Sequence, residues 1–328
     1  MFAAMVRMSV SIIAMISLFG TQAACDSTEK TSTPDPGVAT DRPVKQIEFS
    51  SGSQLEQLIN ELNYTPEAWL AGVRELPRLY ITNIPPRWRD KTSKELDVVT
   101  KKRIFFRLIG PLALHSNELI QADRDRLLLI IKKLRAETPV SSDDQTFLRE
   151  TAAVYKVIER EADLTDHSLH DKLLRRVDTL PPSLVLAQAA EESGWGTSRF
   201  AAAGNALFGM WTWDGKGVMP LQQRSELGNY KIASFETPLQ SVIAYMHNLN
   251  THQAYRALRV RRAELRKADT KVTGWELAKT LIKYSERGQK YVDSLHSLIK
   301  GNKLQPTDDA YLGDGPTILL IPVGEGAY

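Results

Sequence analysis

The sequence predicts a mainly α-helical α+β fold with a small β-lobe, preceded by a helical N-terminal region. Three observations carry that reading. Apolar residues recur at helical spacing between Val44 and Asp163. An apolar run, Leu184 to Ser193, is bounded by Leu180-Pro181-Pro182-Ser183 before it and Gly194 after it, a helix start and a helix stop. A Trp- and Gly-rich turn at Trp211 to Gly217 precedes the alternating segment Tyr230 to Phe235, which reads as a strand. The 328 residues, 42% hydrophobic and 25% charged, exclude a wholly disordered, collagen-like or many-spanning membrane chain. The net charge of +3, from 42 Lys plus Arg against 39 Asp plus Glu, lacks the clustered basic excess of a nucleic-acid binder. One cysteine excludes an intramolecular disulfide framework and a cysteine-rich zinc site.

Residues 1–24 read as a secretory signal peptide. Arg7 supplies the positive start, Met8 to Phe19 the apolar run and Gly20 to Ala24 the small residues of a cleavage site. Cys25 follows directly, where a bacterial lipoprotein carries its acylated cysteine, although Gln22 stands where such sites usually have Leu. The alternative is a free thiol beside an ordinary cleavage site. Residues 25–43, rich in Ser, Thr, Pro and Asp, read as a flexible tether that would hold the folded part near a membrane.

The helical N-terminal region spans residues 44–165. Leu55, Leu58, Ile59 and Leu62 form one apolar stripe. Thr65-Pro66 marks a helix start with Thr65 as N-cap, and Ile84-Pro85-Pro86 is a break. Leu96 to Ile109 reads as a helix continuing into Pro111, and Leu119 to Leu134 as a strongly periodic segment. Pro139 to Asp144 is a turn and Phe147 to Ile158 a further helix. There is no internal repeat.

Glu191 and Glu192 end the apolar helix that begins at Pro182. Consecutive helical residues point about 100° apart, so at most one of them can aim into a cleft beside the helix. The negative end of the helix dipole and an apolar neighbourhood both raise a carboxyl pKa there, which suits a proton donor. Two solvated glutamates at a helix end are the alternative.

The residues around the pair read Ala187-Gln188-Ala189-Ala190-Glu191-Glu192-Ser193-Gly194-Trp195-Gly196, then Gly204-Asn205-Ala206-Leu207-Phe208-Gly209. This stretch resembles the glucosaminidase domain of glycoside hydrolase family 73, related to flagellar peptidoglycan hydrolases and autolysins. Leu180 to Ala190, with Tyr80 to Pro85 and Lys101 to Phe106 upstream, is similar to the bacterial Bax proteins. The resemblance covers roughly residues 75–300. It implies a lysozyme-like glucosaminidase domain over 166–302, followed by a C-terminal tail over 303–328. It implies that Glu192 is the general acid and that Glu191 is not. It places Trp195, Asn205, Phe208 and Tyr291 at substrate-binding positions, with core packing as the alternative for the aromatics and Tyr291 at a position more often packed. It places Tyr284 opposite the scissile bond.

A second carboxyl is normally needed as base or nucleophile. The relatives carry it in the β-lobe, here Met210 to Phe235. Glu226 is the best placed candidate, with Glu236 and Asp214 behind it. Asp214-Gly215-Lys216-Gly217 suggests a hairpin turn. The helix Pro238 to Asn250 presents Val242, Ile243, Tyr245, Met246 and Leu249 as a core stripe.

Other clusters are weaker. His167, His170 and Asp171 lack a second ligand pair at metal spacing, and His247 and His252 are similar. Arg256 to Lys267 reads as a basic helix with a solvated face, or one that meets an anionic envelope polymer or lipid. Ser193 lacks a local base. Thr317 to Val323 reads as a strand in the tail, either paired with a sheet edge or loose.

The expected function is an endo-β-N-acetylglucosaminidase acting on peptidoglycan glycan strands without a cofactor, exported to the bacterial cell envelope. The expected site is Glu192 as acid, Glu226 as base and Tyr284 in support. A non-hydrolytic peptidoglycan-binding protein is the alternative of a different class, and a lytic transglycosylase a third.

Overall fold

The computed structural model describes residues 42–157, 163–213, 215–223 and 228–327. The signal peptide, Cys25, Asp214 and Glu226 lie outside the described residues, and so does the predicted helix end at Ile158.

The N-terminal region opens with strand β1 (Val44–Phe49), helix α1 (Gly52–Glu61) and helix α2 (Pro66–Leu70). The caps follow the sequence signals. The Ser51 hydroxyl accepts from Gln54 N and the Thr65 hydroxyl from Ala68 N, each satisfying an amide that the first helical turn leaves unpaired. Two short strands, β2 (Glu75–Leu76) and β3 (Leu79–Ile81), lead past the proline break to the single turn α3 (Ser93–Glu95). Helix α4 (Val98–Arg135) then runs for 38 residues, about 57 Å at 1.5 Å per residue. The two predicted segments on either side of Pro111 are therefore one helix. A proline inside a helix costs roughly 3 kcal/mol. Burial of Ile104, Phe105, Ile109, Leu112 and Ala113 around it offsets that cost. Helix α5 (Ser142–Val154) starts earlier than its apolar pattern because Ser141 caps it through Asp144 N.

The second region contains α6 (His167–Arg176), α7 (Pro182–Ser193), α8 (Arg199–Gly204), α9 (Pro238–Thr251), α10 (Arg256–Lys267), α11 (Gly274–Ala278) and α12 (Gln289–Gly301). Its β-lobe comprises β4 (Trp211–Thr212), β5 (Gly217–Val218) and β6 (Lys231–Ala233). The strand order is β4-β6-β5 with both pairings antiparallel. The expected hairpin is thus corrected. β4 and β5 do not pair with each other; each flanks β6, and Ile232 faces Trp211 on one side and Val218 on the other.

Helix α7 is the hub. It packs on α4, α11 and α12, and every residue from Pro182 to Ala190 is buried. Its N-terminus has no cap of its own, because Pro181 stands at that position. Asp308, far along the chain, supplies one: its carboxylate accepts from Ser183 N and Ser183 Oγ, both at 2.9 Å, and from Gly274 N at 3.0 Å. A negative charge is favoured at that end of the helix dipole. Gly274 is required by the close approach of α11, since a Cβ there would fall 2.1 Å from Ser183 Oγ.

Two readings are corrected by packing. The basic helix α10 is not simply a solvated face. Arg262 is fully buried and donates to the carbonyls of Asp178, Thr179 and Arg175 and to Asn250 Oδ1, all within 3.0 Å, while Asp178 pairs with it at 3.3 Å. Burial lowers its pKa to about 10. Arg259 is buried too and donates to the carbonyls of Leu249 and His252. The C-terminal tail is also structured. After β7 (Tyr311–Leu312), which pairs with β2, strand β8 (Thr317–Pro322) is the centre of a parallel sheet ordered β1-β8-β3. Parallel neighbours need long crossovers, and here most of the chain serves as the crossover. Strands near the two ends of the described residues meet in one sheet.

Leu320, fully buried in β8, tests this. Leu320→Ala should lower unfolding stability by about 2–5 kcal/mol in denaturant titration. A residue in a loose tail would change it by less than about 0.5 kcal/mol.

Candidate active site

The apolar helix α7 delivers Glu191 and Glu192 to the surface in its last turn, where both become half-buried. Their surroundings separate them. Glu191 points at Arg287, with which it forms an ion pair, and its Oε2 accepts from Ser294 Oγ at 2.9 Å. Glu192 has no cation in direct contact among the described residues. Its Oε1 accepts from the Tyr291 hydroxyl at 2.7 Å. Burial raises its pKa above the ordinary 4.5. The Tyr291 hydrogen bond works against that, the nearby Glu191 charge adds to it, and Arg287 opposes it. The carboxyl is therefore biased toward its protonated form, as a proton donor requires.

Behind Glu192 a file of hydrogen bonds crosses the core. Gln188 Nε2 donates to the Tyr291 hydroxyl at 2.9 Å, and the Tyr245 hydroxyl donates to Gln188 Oε1. All three side chains are buried. Gln188 lies one helical turn before Glu192, so both act on the same face of α7. The helical stripe of α9 that presents Tyr245 brings the third member. Gln188 was readable as the one polar side chain in Leu184 to Ala190 that follows the helix start, but its partner was not. Burial pushes the Tyr291 and Tyr245 phenols well above their ordinary pKa, so they remain protonated donors.

The turn after α7 is held left-handed for three residues, Gly194 (φ 56°), Trp195 (φ 64°) and Gly196 (φ 75°). For Trp this conformation costs roughly 1–2 kcal/mol. Ser193 Oγ accepts from Gly196 N at 2.8 Å and donates to Ala189 O, locking the turn. A Cβ on Gly196 would lie 3.3 Å from the indole nitrogen of Trp88, which donates to Trp195 O at 3.0 Å. The Trp195 ring packs edge-on against Phe105 and Phe106 of α4, with the Lys102 ammonium 4.7 Å from its centroid. It is half-buried, so part of the side chain remains open to solvent.

The remaining candidates separate. Tyr291 is only 1% exposed and its hydroxyl donates to Glu192. Tyr284, half-buried, stacks on Tyr291 with centroids 5.2 Å apart and 5° between planes. Phe208 is 3% exposed and stacks on Tyr245 at 3.8 Å, so it builds the wall behind the site and does not line a groove. Asn205 is a strut. Its Oδ1 accepts from Ile84 N at 2.8 Å, and its Nδ2 donates to the carbonyls of Phe235 and Glu236 at 3.1 and 3.0 Å. Those three bonds tie the N-terminal region to the start of α9 and occupy the amide. Glu236 is exposed at that junction. His170, weighed above as a metal ligand, is buried with Nε2 2.7 Å from Leu164 O.

The Glucosaminidase family model, described as mannosyl-glycoprotein endo-beta-N-acetylglucosaminidase, matches residues 169–304. Protein bax of Escherichia coli (strain K12) is 36% identical over 203 residues, which is 62% of this chain and 70% of that relative. The chain belongs to the Bax family. It carries a glucosaminidase-family domain that spans α7 with Glu192, the left-handed turn, the β-lobe and α12. The α4 wall on which Trp195 rests lies before that domain, so the N-terminal region of this chain completes the site from outside it. No solved structure matches the chain.

The raised pKa of Glu192 makes a stability prediction. A carboxyl whose folded pKa lies above its unfolded value loses stability as pH rises through that interval. Glu192→Gln removes the ionisation while keeping an oxygen that accepts from Tyr291. The variant should unfold at a higher temperature than wild type at neutral pH, and the difference should vanish well below the ordinary carboxyl value of 4.5. Thermal unfolding followed by circular dichroism at both pH values measures it.

Proposed function

We propose that the chain is a peptidoglycan hydrolase of the endo-β-N-acetylglucosaminidase type, with Glu192 as general acid. The observation that carries the reading is the contrast within the carboxyl pair. Glu191 is neutralised by Arg287, whereas Glu192 is partly desolvated, biased toward its protonated form and oriented by a buried tyrosine.

In this reading Glu192 gives its proton to the glycosidic oxygen as the bond to the sugar's anomeric carbon breaks. The oxocarbenium-like carbon is then taken by water, whose proton goes to a second carboxylate. We assign that role to Glu226, in the β-lobe stretch where the family resemblance puts the second carboxyl. Trp195 offers its open face to a pyranose ring. Tyr284 supports the site through its stack on Tyr291. No cofactor enters these steps. The leader, with Cys25 as a lipid attachment point, would deliver the domain to the cell envelope and hold it near a membrane.

Purified protein lacking residues 1–41 should release reducing N-acetylglucosamine ends from peptidoglycan sacculi, identified by mass spectrometry. Glu192→Gln should slow release by at least about 100-fold, and Glu226→Gln should slow it as well. Anhydro-muramyl ends would instead indicate a lytic transglycosylase, and intact polymer with retained binding a non-hydrolytic binding protein.

A further inference from the structure

A second concave site lies away from Glu192. A groove of about 450 Å³ runs between α2, α4, the N-terminal half of α7 and the end of α12. One face of α4 forms its long wall, through residues 99, 102, 103, 106, 107 and 110, which share a side at helical spacing. Leu76, Leu114, Leu186 and Phe106 make the lining largely apolar. At one end Val98 and Val99 remain 61% and 70% exposed, so the apolar surface continues out of the mouth.

The charged lining is one-sided. Lys102, Arg103, Arg107 and Lys303 face the groove, and among the described residues no Asp or Glu lines it. Arg103 is committed to Glu56. Lys102 sits over the Trp195 ring. Arg107 is different. It is 7% exposed, yet it makes no hydrogen bond and no ion pair among the described residues. The Tyr64 ring lies 5.5 Å from the guanidinium carbon, and the Glu56 and Glu67 carboxylates act on it only through space, without an ion pair. The buried Arg262 and Arg259, by contrast, each donate to several carbonyls. A largely buried guanidinium whose donors are left open to a groove is suited to pairing with an anion there.

We propose that this groove binds a single-chain anionic amphiphile, with its carboxylate on Arg107 and its alkyl chain along the α4 wall toward Val98 and Val99. The guanidinium fork matches a carboxylate with two parallel N–H···O bonds. From Arg107 to Val99 the wall extends about 12 Å at 1.5 Å per residue. A cleft of this volume, apolar with a few convergent polar groups, has the form of a small-molecule site. The proposal does not depend on the reaction assigned to Glu192.

Isothermal titration calorimetry of the protein lacking residues 1–41 tests it, with dodecanoate kept below its micellar concentration. Dodecanoate should bind with one-to-one stoichiometry, and dodecanol and acetate should each bind at least tenfold more weakly. Arg107→Gln should weaken dodecanoate at least tenfold while the thermal midpoint changes little, because the internal contact it gives up is the one with the Tyr64 ring. Val99→Glu, on an exposed position, replaces an apolar contact of the alkyl chain with a charge and should weaken it as well. Equal affinity for dodecanol and dodecanoate would overturn the proposal, as would wild-type affinity in both variants or no binding by wild type. A lowered thermal midpoint in Arg107→Gln with unchanged affinity would make that arginine structural.

Discussion

A helix buried on every side cannot carry a polar side chain without partners for it, and α7 carries Gln188 in the middle of its buried stretch. An unpaired amide there would cost about 1–3 kcal/mol. The fold answers with Tyr245 from α9 and Tyr291 from α12, one on each end of the amide. Because Tyr291 still has a proton to give, the file continues to Glu192 at the helix end. Satisfying the core and orienting the candidate acid are therefore one arrangement. The aromatic stacks of Phe208 on Tyr245 and Tyr284 on Tyr291 brace it from both sides.

The same helix explains why the chain is organised around its ends. Asp308 caps α7 from the C-terminal segment, and β8 places that segment between two N-terminal strands. Asn205 ties Ile84 to the start of α9, and Trp195 leans on Phe105 and Phe106. The glucosaminidase domain and the N-terminal region thus share a continuous core, which includes Ile104 and Leu112 of α4 with Leu184 and Val185 of α7. The left-handed Trp195 persists because this packing over-determines it.

Local signals were legible. Thr65-Pro66, Thr237-Pro238 and the pair of Pro182 with Gly194 marked helix ends where the caps and the left-handed stop occur. The motif resemblance points to Glu192, the carboxyl whose pKa burial raises, while Glu191 pairs with Arg287. What was not legible depends on partners distant in the chain. A Val- and Ile-containing strand such as Thr317 to Val323 carries no mark of being central or peripheral, since that depends on β1 and β3 more than 230 residues earlier. Alternating Arg residues look solvated until the carbonyls around Arg262 and Arg259 are in place. Two tyrosines seven residues apart, Tyr284 and Tyr291, could each have met the acid, and only the packing of α12 on α7 selects Tyr291. The hairpin failed because turn chemistry at Gly215 specifies a reversal but not which strand fills the space between β4 and β5.

The central claim is that one carboxyl of the pair is held toward its protonated form by the core behind it. A titration of the Glu192 carboxyl carbon by nuclear magnetic resonance, in wild type and in Tyr291→Phe, measures this directly. Glu192 should titrate above the ordinary 4.5 in wild type. It should move higher still in Tyr291→Phe, because the lost hydrogen bond favoured the charged form. A wild-type value at or below 4.5, or a downward shift on removing the phenol, would contradict the account.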